Sequence, residues 1–105
     1  MNIPSVNQVD VEENIIAEYF FTAEQGAHQF NQDEGIVLAT HASLNLLTFC
    51  VLVLKNGFTV TGESACVSPE NFNALLGQRF AREAAVEKIW LLMGYALKER
   101  IFNEQ

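Results

Sequence analysis

The first 54 residues contain no lysine and no arginine. All six basic residues (Lys55, Arg79, Arg82, Lys88, Lys98, Arg100) lie beyond them, while the first half holds seven acids (Asp10, Glu12, Glu13, Glu18, Glu24, Asp33, Glu34). The chain carries a formal net charge of −7, and the first half accounts for all of it. Nonspecific nucleic-acid binding requires cations that neutralise several phosphates together, so an acidic chain with six scattered cations is a poor candidate for that class, with room left only for a local basic site on the second helix. The acidic half reads as a solubilising surface or as a contact surface for a partner protein.

Other absences narrow the field further. There are two cysteines, Cys50 and Cys66, and Met1 to Asp10 shows neither the basic nor the apolar region of a secretory leader. Together these predict reduced thiols in a cytosol. The longest apolar stretch, Leu46–Leu54, falls far short of the ~20 residues that cross a bilayer, so no membrane contact is expected. His28 and His41 do not combine with the cysteines at zinc-ligand spacing. No GxGxxG, no P-loop and no nucleophile with an adjacent base is present. The expectation is a non-enzymatic protein without cofactor or metal.

At 105 residues the chain makes one domain, residues 1–105, with residues 1–5 frayed. No repeat or internal linker divides it. Half of the residues are hydrophobic, more than so small a core can bury, which predicts a homo-oligomer with a dimer as the base case.

The fold class expected is α+β: an N-terminal helix, an antiparallel hairpin with room for a third strand, and a long C-terminal helix. Val9, Val11, Ile15, Ile16, Tyr19 and Phe20 recur near helical spacing behind Asp10, Glu12 and Glu13, which predicts a helix from Ser5 to about Glu24, stopped at Gly26. Residues 26–45 read as a variable loop with a short strand or turn at Ile36–Ala39. Leu46–Leu54 and Phe58–Val67 then form a hairpin around Asn56-Gly57, the dipeptide of a two-residue type I′ turn. A two-residue turn sets Val53 opposite Val60, Val51 opposite Gly62, Phe49 opposite Ser64 and Leu47 opposite Cys66, and that face is expected to cover the helices. The other face, Leu54, Leu52, Cys50 and Thr48 opposite Thr59, Thr61, Glu63 and Ala65, is mixed but still apolar, which suits a third strand, a partner subunit or a ligand. The same register puts Cys50 and Cys66 on opposite faces, where they cannot bond. The competing reading makes Ser43–Lys55 a helix ending at Gly57, but the Val, Phe and Thr content favours strand. Ser68-Pro69-Glu70 carries the signals of a helix start. Phe72, Leu76, Phe80 and Ala84 follow at four-residue steps, then Ile89, Trp90, Met93 and Leu97. Gly94 is expected to kink or break this helix before Phe102.

Four residues stand out as a candidate ligand site. Arg79 and Arg82 lie three apart and share a helix face; a guanidinium pair suits a phosphate or carboxylate. With Lys88 and Trp90 or Tyr95 nearby, the pair would suit a nucleotide. The plainer reading is an ion-pair ladder in which Arg79 and Arg82 reach Glu83. Glu63 follows Gly62 in the second hairpin strand, as a partner for either arginine, a hydroxyl-binding group or a solvated side chain. Phe72, Phe80, Trp90, Met93 and Tyr95 read as core or interface rather than an aromatic cage.

The stretch TFCVLVLKNGFTVTGESACVSPENF, followed by Gly77, Ala81-Arg82-Glu83, Ala85, Lys88-Ile89-Trp90 and Met93-Gly94-Tyr95, resembles the gp-forty-nine/gp-sixty-six family of tailed-bacteriophage proteins. Asn14–Ala23 (NIIAEYFFTA) is similar to it as well, and residues 26–45 fall outside the likeness. The family pattern carries acids where this chain has Asn73 and Leu75. The resemblance implies a non-virion phage protein acting in the cytoplasm of an infected bacterium, and it brings no activity with it. With the missing catalytic groups, this leads to a binding protein aimed at the host. It would act in counter-defence, by sequestering a small anionic nucleotide-like ligand or by blocking a host protein. The alternative is an accessory of phage DNA replication or nucleic-acid metabolism that meets a partner protein through the acidic half.

Overall fold

The computed structural model describes residues 4–105. The elements in chain order are α1 (Gln8–Glu13), β1 (Ile15–Thr22), α2 (Ala23–Asp33), β2 (Leu47–Leu54), β3 (Thr59–Ala65) and α3 (Ala74–Asn103), with short 3-10 turns at Ala42–Leu46 and Pro69–Asn71. The three strands form an antiparallel sheet in the order β1-β2-β3. The α+β class therefore holds, with the hairpin, the third strand and the long C-terminal helix all present.

The third strand lies inside the segment expected to be the first helix. Asn7 opens α1 with a reciprocal cap: its Oδ1 accepts from the Asp10 N–H and Asp10 Oδ2 accepts from the Asn7 N–H, both at 2.9 Å. The helix closes after Glu13, with Val11 fully buried. From Ile15 the β-branched and aromatic run IIAEYFFT is extended. A bulge between Ile15 and Ala17 breaks the two-residue alternation, so the residues opposite the buried side of β2 are Ile15, Glu18, Phe20 and Thr22. That three-residue step imitates helical spacing.

Gly26 does not stop a helix; it lies within α2, whose cap is Thr22 paired reciprocally with Gln25. The helix thus occupies the first part of the segment read as a loop, and the short strand expected at Ile36–Ala39 is absent, those residues being irregular and exposed.

The hairpin is real, but its turn is one residue longer than expected. Leu54 and Phe58 are paired, with the Leu54 N–H donating to the Phe58 carbonyl at 2.9 Å, and the Gly57 N–H donates to the Leu54 carbonyl at 2.8 Å. Only Gly57, at φ 88°, has positive φ in this turn. Asn56 instead accepts from the Phe58 N–H through its side chain. This is a three-residue loop, a turn followed by a left-handed glycine. The extra residue shifts the register to Leu52↔Val60, Cys50↔Gly62 and Phe49↔Glu63, and such a slip reassigns the faces. The buried face of β2 is Thr48, Cys50, Leu52 and Leu54, not Leu47, Phe49, Val51 and Val53. Cys50 and Cys66 are both free, and the reason also changes. Cys66 pairs with Leu46, four positions along β2 from Cys50, a separation of about 13 Å.

Ser68 and Pro69 start only the 3-10 turn, and Ser68 makes no side-chain cap to a backbone N–H. The helix proper begins at Ala74, capped by Asn73, whose side chain accepts from the Leu76 N–H at 3.0 Å. It runs unbroken through Gly94 to Asn103, about 45 Å long at 1.5 Å per residue. Gly94 has open space around its α-carbon, and helix geometry alone does not require a break there. Ala81, Ala85 and Ile89 press onto Cys50, Leu52, Leu54 and Val60 to make the core, with Val11 completing it from α1.

The helix meets the sheet most closely at Gly62. A Cβ placed there would lie 2.1 Å from the Ala81 carbonyl oxygen and 2.3 Å from the Ala85 nitrogen, both backbone atoms that cannot swing aside. Gly62→Ala is therefore expected to destabilise the protein by about 3 kcal/mol, seen as a lower urea midpoint by circular dichroism. Gly94→Ala is expected to raise that midpoint, adding up to ~1 kcal/mol of stability through helix propensity alone.

Candidate functional site

The sheet has two different sides. One carries α1 and α3. The other presents Ala17, Tyr19 and Phe21 from β1, Phe49, Val51 and Val53 from β2, and Thr59, Thr61 and Glu63 from β3. Phe21 and Phe49 stack with ring centroids 5.7 Å apart. Helix α2 turns back over this end, where a Cβ on Gly26 would rest 3.7 Å from the Phe21 ring. Beyond that end nothing in the chain covers the face among the described residues. Tyr19 remains 59% exposed, and Ile16, pushed out by the bulge, 60%. A solvated side of an antiparallel sheet is ordinarily polar. Here Glu63 is the only charged side chain in these three rows.

On the helical side, Arg82 joins three elements. Its Nη1 and Nη2 donate to the two Glu12 carboxylate oxygens at 2.9 and 2.7 Å, and its Nε donates to Glu18 at 2.8 Å. Glu12 comes from α1 and Glu18 from β1, so one guanidinium from α3 ties down the acidic half. The fork geometry makes such bonds strong and directional. The donated hydrogen bonds hold the Glu12 carboxyl below its ordinary range, against a smaller opposing effect of burial, and the Arg82 charge adds to the lowering. The same bonds raise Arg82 further above its already high value.

The four residues singled out from sequence do not converge. Arg82 faces the β1 side, with Nε and one N–H of each Nη engaged by Glu12 and Glu18. Arg79 pairs with Glu83 one turn on, at 3.3 Å and well exposed. Lys88 lies on the rim of a groove between α3 and β3, with Phe58, Val60, Leu91 and Leu92. Glu63 is on the other side of the sheet, opposite Phe49, out of reach of both arginines. Glu12 and Glu18 were missed as partners because a continuous first helix offered no way to bring them together at Arg82. The open sheet face was legible only as excess apolar character on the hairpin. No group of three or more metal-ligating side chains occurs among the described residues, and no described helix is long and apolar enough to cross a membrane. Asn73, where the resembling family carries an acid, is the cap of α3, a role that aspartate fills equally well.

Residues 6–101 match the phage protein (N4 Gp49/phage Sf6 gene 66) family, and the chain belongs to it. The match runs through residues 26–45 as well, the segment that the residue-by-residue likeness left out. No curated protein and no solved structure matches the chain.

Glu12 gives the Arg82 cluster a defined pH signature. A carboxyl whose pKa is lowered by folding contributes stability above its unfolded value, ordinarily 4.5, and loses it as pH falls through the lower folded value. Arg82→Ala is expected to cost about 1 kcal/mol at neutral pH, the partners being partly solvated. Parallel denaturant titrations of both proteins should show that difference narrowing below pH ~4.5 as Glu12 protonates.

Proposed function

We propose that this member of a phage protein family acts without catalysis, as a binding protein that blocks a host protein in the cytoplasm of the infected bacterium, in counter-defence. The observation that carries this reading is the open side of the sheet: Tyr19, Val51 and Val53 form an apolar surface on a rigid three-stranded platform, flanked by Ile16. Aromatic and aliphatic side chains held on a sheet bind with little ordering cost, and Tyr contributes both contact area and a polar tip. The same chain offers a small anionic ligand less. Its best-placed guanidinium would have to leave two carboxylates, and Arg79 and Lys88 do not converge on it.

The test is a photo-crosslinking residue placed at Tyr19 in tagged protein produced during phage infection. A single host protein is expected in the crosslink, to be lost with Val51→Glu and kept with Arg82→Ala, and Val51→Glu should also remove the protein's benefit to phage growth on a defended host. A crosslink to a replication protein would move the role to replication accessory. Loss of the phage benefit with Arg79→Ala and Lys88→Ala, with Val51→Glu harmless, would return the argument to ligand sequestration.

A further inference from the structure

The chain is too extended to be finished as a monomer. It exposes 7733 Å², where a compact monomer of 11.7 kDa exposes about 5,900 Å². Its radius of gyration is 17.8 Å, against about 13 Å for a compact chain of this length. The surplus of about 1,800 Å² is more than twice the ~800 Å² that each partner contributes to a standard interface. A surplus this large matches what each chain of an obligate dimer covers.

The two edges of the sheet differ. The β1 edge has the bulge at Ile16 and, beside it, the Glu12–Arg82–Glu18 cluster. Bulges and fixed charges are the devices that keep a sheet edge from pairing. The β3 edge has no bulge, and Glu63 is its one charge. Leu54 pairs with Phe58 and Leu46 with Cys66 by hydrogen bonds, so in between the even-numbered residues of β3 bond to β2. The N–H and C=O groups of Thr59, Thr61, Glu63 and Ala65 therefore point outward. The strand TVTGESA contains no Pro, no Lys and a single charge.

Above this edge α3 presents a matching face. Phe80, Ala84, Lys88, Leu91 and Tyr95 follow at steps of four, four, three and four, which places them on one side of the helix. That side looks along β3: Lys88, Leu91 and Leu92 share one groove with Phe58 to Thr61, and Phe80 shares another with Ser64, Ala65 and Cys66. Leu91 is 76% and Tyr95 70% exposed. Helix α3 rests on β3 and, less extensively, on β2, with its Ala81–Ala85 backbone over Gly62, so the face just described stands beside the open edge.

We infer that two copies of this chain pair antiparallel along β3, joining their sheets into one of six strands and packing α3 against the partner's α3. A two-fold axis makes such a contact self-complementary. The outward backbone groups of one strand meet those of the other. The Leu91–Tyr95 end of one helix falls on the Phe80–Ala84 end of its partner, and Lys88 comes beside the partner's Glu87. The inference stands apart from the proposed host contact, since it uses the β3 edge and α3 rather than the open sheet face. It also implies that the two open faces lie side by side on one side of the dimer.

Sedimentation of the purified full-length protein across a wide concentration range tests this. The expected mass is twice that of the chain. Thr61→Pro removes one outward N–H that the isolated chain does not use, a change that edge strands tolerate. It should raise the dimer dissociation constant by roughly a hundredfold or more with the circular dichroism spectrum kept. Leu91→Glu, at an exposed helix position, should do the same and guards against a Thr61→Pro protein that fails to fold. Amide exchange at Thr61 and Glu63 should be slow in the wild type and fast in Leu91→Glu. A wild type that stays monomeric overturns the inference. So does a dimer that survives both substitutions, or one dissociated by Tyr19→Glu but by neither of them.

Discussion

The contact between Gly62 and the Ala81–Ala85 turn of α3 sets the rest of the structure. A helix ordinarily stands off a sheet by the thickness of the side chains between them. Here three small residues remove that layer, and the helix backbone comes down onto β3. The close approach lets Ile89 reach the core formed by Leu52, Leu54 and Val60. It also holds Arg82 low enough at the side of the helix to bridge Glu12 and Glu18. Dispersion contacts grow steeply as such a gap closes, so a small sheet can anchor a 30-residue helix over only part of its length.

That economy has a consequence for the outer side of the sheet. With α1 and α3 both committed to one face, and α2 turned over only the Phe21–Phe49 end, no element among the described residues covers Tyr19, Val51 and Val53. A three-stranded sheet covered on one side is stable enough to fold, but its other side needs either polar residues or a partner. The side chains there are mostly apolar, which is why the proposed binding role rests on the architecture rather than on any single reactive group. The charge asymmetry fits the same picture. Arg82 neutralises part of the acidic half from outside it, and the Arg79–Glu83 and Arg100–Glu104 pairs use up other cations locally. Few cations then remain to gather an anionic ligand.

Where the sequence could be read, a residue's local chemistry decided its structure. The hairpin, the glycine in its turn and the long C-terminal helix were legible on that basis. Where it could not, a single inserted residue changed the outcome. One bulge at Ile16 made a strand carry a helix-like spacing, and one extra turn residue before Gly57 exchanged the two sides of β2. Both are local backbone events with long-range effects, because a strand's period of two turns any one-residue slip into a change of side. Gly26 reads as a stop, yet it lies inside a helix that the reciprocal Thr22–Gln25 cap opens just before it. The Arg82 cluster depended on the same error, since Glu18 reaches α3 only as part of a strand.

The asymmetry between the two sheet edges is what the proposed pairing of two copies rests on. An exposed strand edge is a liability in any soluble protein, and selection against aggregation acts on both edges alike. A bulge and a charged cluster at β1 show that this chain carries such protection where the edge must stay unpaired. At β3 the outward groups of Thr59, Thr61 and Glu63 lie bare, and α3 runs alongside with Leu91 near Thr61 and Phe80 near Ser64, large apolar side chains that an isolated helix face has no reason to display. Edge and helix face also belong to opposite ends of the energetic scale, one directional and the other not. Each supplies what the other lacks: backbone hydrogen bonds fix the register of two copies, and helix packing provides the buried area. Their occurrence together, along one line of the molecule, is the reason for placing the second copy there rather than on the open sheet face, which lacks a row of backbone donors and acceptors to set a register.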